Sequence, residues 1–131
     1  MDPLVHIFRE TKPEFTLSEA INYLSSISGD EYGCIWLRHE NGTQLAIMIN
    51  GQRAYPHFFP SGDHPGWQIA AKEGADWDTL VKFRADNGEP TPMPLALVLP
   101  IERTVEILRH FWEHGKRTPG EHWTSLVAGE P

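Results

Sequence analysis

Three sets of residues in this sequence have the chemistry for a site. His110 and His114 stand four apart in the run E-I-L-R-H-F-W-E-H, with Glu113 beside them. On a helix that spacing puts both imidazoles on one face, as a metal pair requires. The run lacks the H-E-x-x-H order of a zinc hydrolase, and two rings fall short of a ligand set. Near a helix C-terminus the same rings are also favourable as plain polar-face residues at the negative end of the dipole. His57, Asp63 and His64 form a second set able to supply acid and base groups. An Asp in a Gly-rich stretch serves equally well as a turn former, accepting backbone N–H bonds. Cys34 is the third, inside C-I-W-L, where a strand cysteine is normally an inert small hydrophobe.

Nucleophile elbows, phosphate-cradling glycine loops and dinucleotide fingerprints are missing from the sequence. One cysteine cannot make the H-x-E and P-C-x-x-C signature of a zinc deaminase. The reading is therefore a protein with no catalytic residue, metal ligand or cofactor. A small metal- or His-dependent hydrolase built on His57, Asp63 and His64 is the alternative; stoichiometric Zn²⁺ or Mn²⁺ lost on His64→Ala would favour it.

The stretch from Pro60 to Asp78, P-S-G-D-H-P-G-W-Q-I-A-A-K-E-G-A-D-W-D, suggests binding instead of catalysis. Aromatic anchors among acidic side chains suit a hot spot for a basic protein. Asp63, His64, Trp67, Asp76, Trp77 and Asp78 are the candidate partner contacts, with Glu73 adding charge. The plainer alternative makes both Trp core residues beneath a long loop.

Composition narrows the class. At 131 residues the chain is expected to be one domain, residues 1–131, able to bury a core without staples. No apolar run approaches the roughly 20 residues that span a bilayer. The opening M-D-P-L-V-H-I-F-R-E shows no basic leader before an apolar stretch. The lone Cys34 fits a reducing compartment, so a cytoplasmic location is expected. A net charge of −7 argues against nucleic acid, which needs a basic face, and suits a basic protein partner or simply solubility. A membrane partner is not expected, and the chain is read as a monomer or weak homodimer.

The elements that must position these residues follow from periodicity. Ile101, Val105, Leu108 and Trp112, widened by Ile107 and Phe111, make an amphipathic helix. Pro100 suits its first position and Gly115 the left-handed residue after its last turn. Trp123 is expected to return and pack near it. An earlier helix opens with a capping box at Thr16 and Glu19, and carries Leu17, Ala20, Ile21, Leu24 and Ile27 to a stop at Ser28-Gly29-Asp30. An edge strand is expected over Leu4 to Arg9. Tyr32–Arg38, Thr43–Ile49 and Gln52–Phe59 read as antiparallel strands joined at Asn41-Gly42 and Asn50-Gly51. A short strand at Trp67–Ala71 and a further one at Thr79–Ala85 follow, then a turn at Asn87–Pro90. Pro90, Pro92 and Pro94 predict an extended Thr91–Leu99. The fold class is α+β, an antiparallel meander with an N-terminal and a C-terminal helix packed on one face.

The C-terminal part carries V-L-P-I-E and then Phe111, Gly115, Pro119 and Trp123 in the arrangement F-x-x-x-G-x-x-P-x-x-x-W. This pattern resembles the immunity protein 1 family of bacterial polymorphic toxin systems. I-N-G-Q-R-A-Y-P followed by S-G-D-H-P-G-W is similar to that family's strand and Gly-rich loop. The likeness covers roughly Leu45 to Trp123. It implies a cytoplasmic antitoxin that binds a cognate toxin domain and blocks its active site. Such toxins are often of the cytidine-deaminase fold, though other types occur. It also implies structural roles for Phe111, Gly115 and Trp123, which would fix the helix end on the core, with Trp112 and Pro119 beside them.

Overall fold

The computed structural model describes residues 3–7, 10–12, 15–27, 32–85 and 87–130. From the N-terminus come β1 (Leu4–Ile7), β2 (Glu10–Lys12), α1 (Leu17–Ser26), β3 (Tyr32–Arg38), β4 (Gln44–Asn50) and β5 (Arg53–Phe59). β6 (Trp67–Ile69), β7 (Leu80–Val81), β8 (Met93–Pro94), β9 (Leu99–Pro100), α2 (Ile101–His114) and β10 (Trp123–Ser125) complete the order. The main sheet is antiparallel and runs β10-β6-β5-β4-β3-β1-β2, with β9 also paired to β5; β7 and β8 form a separate ribbon.

Alternation decides which face is the core. Ile35, Ile47 and Pro56 stand opposite one another, as do Leu37, Leu45 and Phe58, and Gly33, Ile49 and Ala54. Side chains two apart share a face, so these residues form one apolar surface. Both helices pack on it, in a core shared by Ala20 and Leu24 of α1 and Ile107, Leu108, Phe111 and Trp112 of α2. Tyr55, Val81, Phe83 and Leu97 make a smaller cluster elsewhere. Tyr55 lies on the sheet's second face, so the segment from β7 to β9 covers part of that face. No helix among the described residues is long and apolar enough to cross a membrane.

α1 begins as its sequence requires. Thr16 Oγ1 accepts the Glu19 N–H at 3.1 Å, and Glu19 returns a carboxylate oxygen to the Thr16 N–H at 3.2 Å. Its expected stop at Ser28-Gly29-Asp30 lies outside the described residues. Pro100 proves to be the residue before the first turn of α2, not within it. The buried face of that helix includes Thr104, an unexpected polar member. Its hydroxyl donates to the Pro100 carbonyl at 3.2 Å, which removes the cost of burying it. The stripe therefore centres on Thr104, Leu108 and Phe111, and Val105 is left half-buried.

The far end of α2 is locked to the β3–β4 connection. Gly115 adopts φ 64°, and its N–H donates to the Phe111 carbonyl at 2.7 Å. Asn41 Nδ2 donates to the Gly115 carbonyl at 3.2 Å, and Thr43 Oγ1 lies 2.7 Å from the same oxygen. A Cβ on Gly115 would meet Asn41 Nδ2 at 2.3 Å, so conformation and space both demand glycine. Phe111 is wholly buried, Trp112 is 7% exposed, and Trp123 packs on the core from β10. Pro119, in contrast, is exposed on the turn between them.

Three expectations shift. β1 is flanked by β2 and β3, so β2 is the edge, because the chain doubles back at once; Phe8 and Arg9 lie outside the described residues. In the second hairpin Asn50 still pairs with Arg53, which leaves Gly51 (φ 60°) and Gln52 as the turn. Asn50 uses its amide to donate to the Lys82 carbonyl at 2.8 Å. After Pro94 the chain makes a 3-10 turn, Leu95–Leu97, since a proline just ahead of a helical turn removes no helical bond.

Candidate partner-binding surface

The six candidate contacts separate into two groups. Trp67, on β6, is paired through its backbone to Phe58 on one side and Ser125 on the other. Held between two strands, it is only 7% exposed and belongs to the core. The binding role expected of its ring is thereby corrected: it is a core residue beneath the loop. The Arg117 guanidinium lies 3.6 Å from its ring centroid.

His64 lies nearly parallel to Trp67, with centroids 6.4 Å apart. Its Nδ1 accepts the Gly66 N–H at 2.8 Å, so in the neutral ring the proton is on Nε2. That proton faces Glu130, whose two carboxylate oxygens are each 3.2 Å away. Gly66 holds φ 110°, and a Cβ there would meet His57 Nε2 at 2.0 Å. His57 Nε2 lies 2.8 Å from the Pro65 carbonyl, an acceptor only, so this nitrogen is protonated. Its Nδ1 lies 3.2 Å from Tyr55 Oη, which is 2.8 Å from Gln68 Oε1. Burial lowers the pKa of His57, although the Pro65 carbonyl opposes the shift, and pushes that of Tyr55 up to about 12.

These bonds bear on the hydrolase alternative. Asp63 is exposed and accepts from Ser61 Oγ at 2.8 Å, a bond that lowers its pKa. Thus Asp63 serves a turn, His64 ties the loop to Glu130, and His57 braces Pro65 against the sheet. Among the described residues no hydrogen bond joins the three side chains to one another, although His64 adds to the lowering of the Asp63 pKa. His110 and His114 do share a face, with ring centroids 4.6 Å apart. Among the described residues no three His, Cys, Asp or Glu are placed to hold a metal ion. Cys34 is 2% exposed in the middle of β3.

The second group stands outside. Asp76 Oδ1 accepts the N–H groups of Asp78 at 3.0 Å and Thr79 at 2.9 Å. The Thr79 side chain foremost, then its N–H, and after them the Asp78 N–H lower the pKa of the Asp76 carboxyl, so the turn is fixed by an ionised Asp. The Asp76 carbonyl accepts from Ala96 N–H and the Thr79 carbonyl from Leu95 N–H, each at 2.8 Å. Held at both ends, this turn leaves Trp77 53% and Leu80 57% exposed, with Glu73, Asp76 and Asp78 exposed nearby. Behind it opens a groove of about 400 Å³, lined by Lys72, Glu73, Asp76, Arg103 and Glu121 among others. Arg103 and Glu121 close one wall as a bidentate pair.

Sequence reasoning missed Leu80 by placing it only in a strand over Thr79–Ala85; its spacing of three from Trp77 was the available sign. Arg117 was also missed, because nothing local marks the tryptophan on which it stacks. No family model matches the chain, and no curated protein matches it.

Proposed function

We propose that this protein is an immunity factor, which binds a cognate toxin domain and occludes its active site in a 1:1 complex without turnover. The observation that carries the reading is the Asp76–Leu80 turn. It exposes a tryptophan and a leucine among carboxylates while hydrogen bonds hold its backbone in place. A pre-ordered aromatic anchor loses little entropy on binding and is the kind of residue that dominates interfaces. The carboxylates and the net charge of −7 favour a basic partner and hasten its approach. An enzyme that modifies nucleic acid must keep a basic substrate channel, which an acidic turn can fill. The resemblance of Leu45 to Trp123 to immunity protein 1 sequences supports the same reading.

The test takes the product of the gene next to this one, purifies it and mixes it with the protein; a toxin domain there is what the reading expects. Size-exclusion chromatography with light scattering should give a 1:1 complex, and toxin activity should titrate to zero at equivalence. Charge reversal of Asp63, Asp76 and Asp78 together should slow association and flatten its salt dependence. Unchanged neutralisation and salt dependence would refute the acidic surface; no complex at all would refute the immunity reading.

A further inference from the structure

Arg117 occupies an unusual position for a charged residue in this acidic chain. Its guanidinium carbon lies 3.6 Å from the Trp67 centroid and 6.0 Å from that of Phe58. Among the described residues no acceptor hydrogen-bonds to it, whereas the fork of Arg103 is filled by Glu121. A guanidinium lying on an indole keeps its N–H donors in its own plane, directed sideways from the ring face. Arg117 lines a cavity of about 590 Å³ together with Asn41, Lys116, Thr118, Glu121 and His122. That volume falls within the span of small-ligand sites, roughly 300–1,000 Å³.

We propose that this cavity is a carboxylate-binding site, with Arg117 as the bidentate receptor and Lys116 as a second positive charge. The stack on buried Trp67 restrains the guanidinium before a ligand arrives, so little is lost by ordering it. Glu121 sets the charge of the ligand. It lines the same cavity, and although Arg103 balances it, a dianion such as phosphate would meet more repulsion than a monoanionic carboxylate. The carboxylate can come from a free small acid or from a Glu or Asp side chain of a protein. The site stands whether or not the partner is a toxin.

The test is an NMR titration of the ¹⁵N-labelled protein, following the Arg117 Nε–H and Trp67 Nε1–H resonances at constant ionic strength. Three probes are used: acetate, a capped Gly-Glu-Gly peptide, and inorganic phosphate. Both resonances should shift saturably with a carboxylate, and phosphate should bind more weakly. Tighter binding of the peptide than of acetate identifies a protein side chain as the source; the reverse identifies a free acid. Arg117→Lys keeps the charge but loses the fork, and should weaken binding about tenfold. Lys116→Gln, on the exposed rim, should weaken it by about threefold. Non-saturating shifts with both carboxylates, preference for phosphate, or wild-type affinity in Arg117→Lys would overturn the proposal. Because Arg117→Lys preserves the stack's positive charge, an unchanged amide spectrum elsewhere separates lost binding from lost folding.

Discussion

Trp67 and Trp77 lie ten residues apart in one stretch rich in glycine, proline and aspartate, yet they are 7% and 53% exposed. Hydrophobicity cannot distinguish two identical side chains, so backbone pairing must. Trp67 sits on a strand with a neighbour on each side, which turns its ring onto the core face beside Phe58. Trp77 sits in a turn whose N–H groups are taken by the Asp76 carboxylate and whose ends are clamped to Leu95 and Ala96. One tryptophan holds the sheet together, and the other is presented to solvent. Charge follows the same division. Arg117 covers the buried ring, while Asp76 and Asp78 flank the exposed one.

Stability gives the widest separation. Trp67→Ala should cost about 3–5 kcal/mol in urea unfolding, as for any large core aromatic. Trp77→Ala should stay within about 0.5 kcal/mol. Equal losses would erase the distinction between core and surface. Two of the three glycines in the same stretch sharpen it further. Gly66 and Gly74 both hold positive φ, at 110° and 76°. A Cβ on Gly66 would strike His57, whereas one on Gly74 would meet nothing within 4 Å. Gly74→Ala should therefore cost only the backbone term, about 1–2 kcal/mol. Gly66→Ala carries its own backbone strain, about 1–3 kcal/mol, and the steric clash on top, so its melting temperature should fall further.

Where a local pattern determined the structure, it was legible in advance. The capping box at Thr16, the alternation of Leu45, Ile47 and Ile49, and Gly115 after α2 each depend on a few neighbouring residues, and each formed as read. What needed long-range pairing was not legible. Trp67 and Trp77 had identical local claims until β10 arrived from far along the chain to pair with β6. The stack of Arg117 on Trp67 joins residues fifty positions apart, and no spacing rule anticipates it.

Binding should invert the stability ranking. If the Asp76–Leu80 turn is the toxin contact, Trp77→Ala should cost about 2 kcal/mol of affinity, roughly thirtyfold in Kd by titration calorimetry. Leu80→Ala, at the neighbouring exposed position, should cost about 1 kcal/mol. Asp78→Lys isolates the charge, because its carboxylate has no part in fixing the turn, whereas that of Asp76 does. Its effect should appear mainly in the association rate and diminish with added salt. A Trp77→Ala protein that binds like wild type would leave the exposed ring without a function in this complex.

The smallest effect lies with pH and tests the Tyr55–His57–Gln68 network on the sheet's second face. Burial holds the pKa of His57 below its ordinary value of 6.5. Above that value both folded and unfolded chains carry a neutral ring, and the network is fully stabilising. As the pH falls through 6.5 the unfolded chain takes up a proton that the native ring resists, so stability declines. Urea midpoints measured from neutral to mildly acidic pH should show this decline, and His57→Gln should flatten it. The exposed Trp77 turn makes the opposite forecast over the same range. Asp76 and Asp63 have pKa values lowered from 3.8, so both stay ionised there and toxin affinity should not follow the loss of stability. Parallel changes in stability and affinity would mean that the His57 network and the exposed turn are coupled, so that protonating one loosens the other.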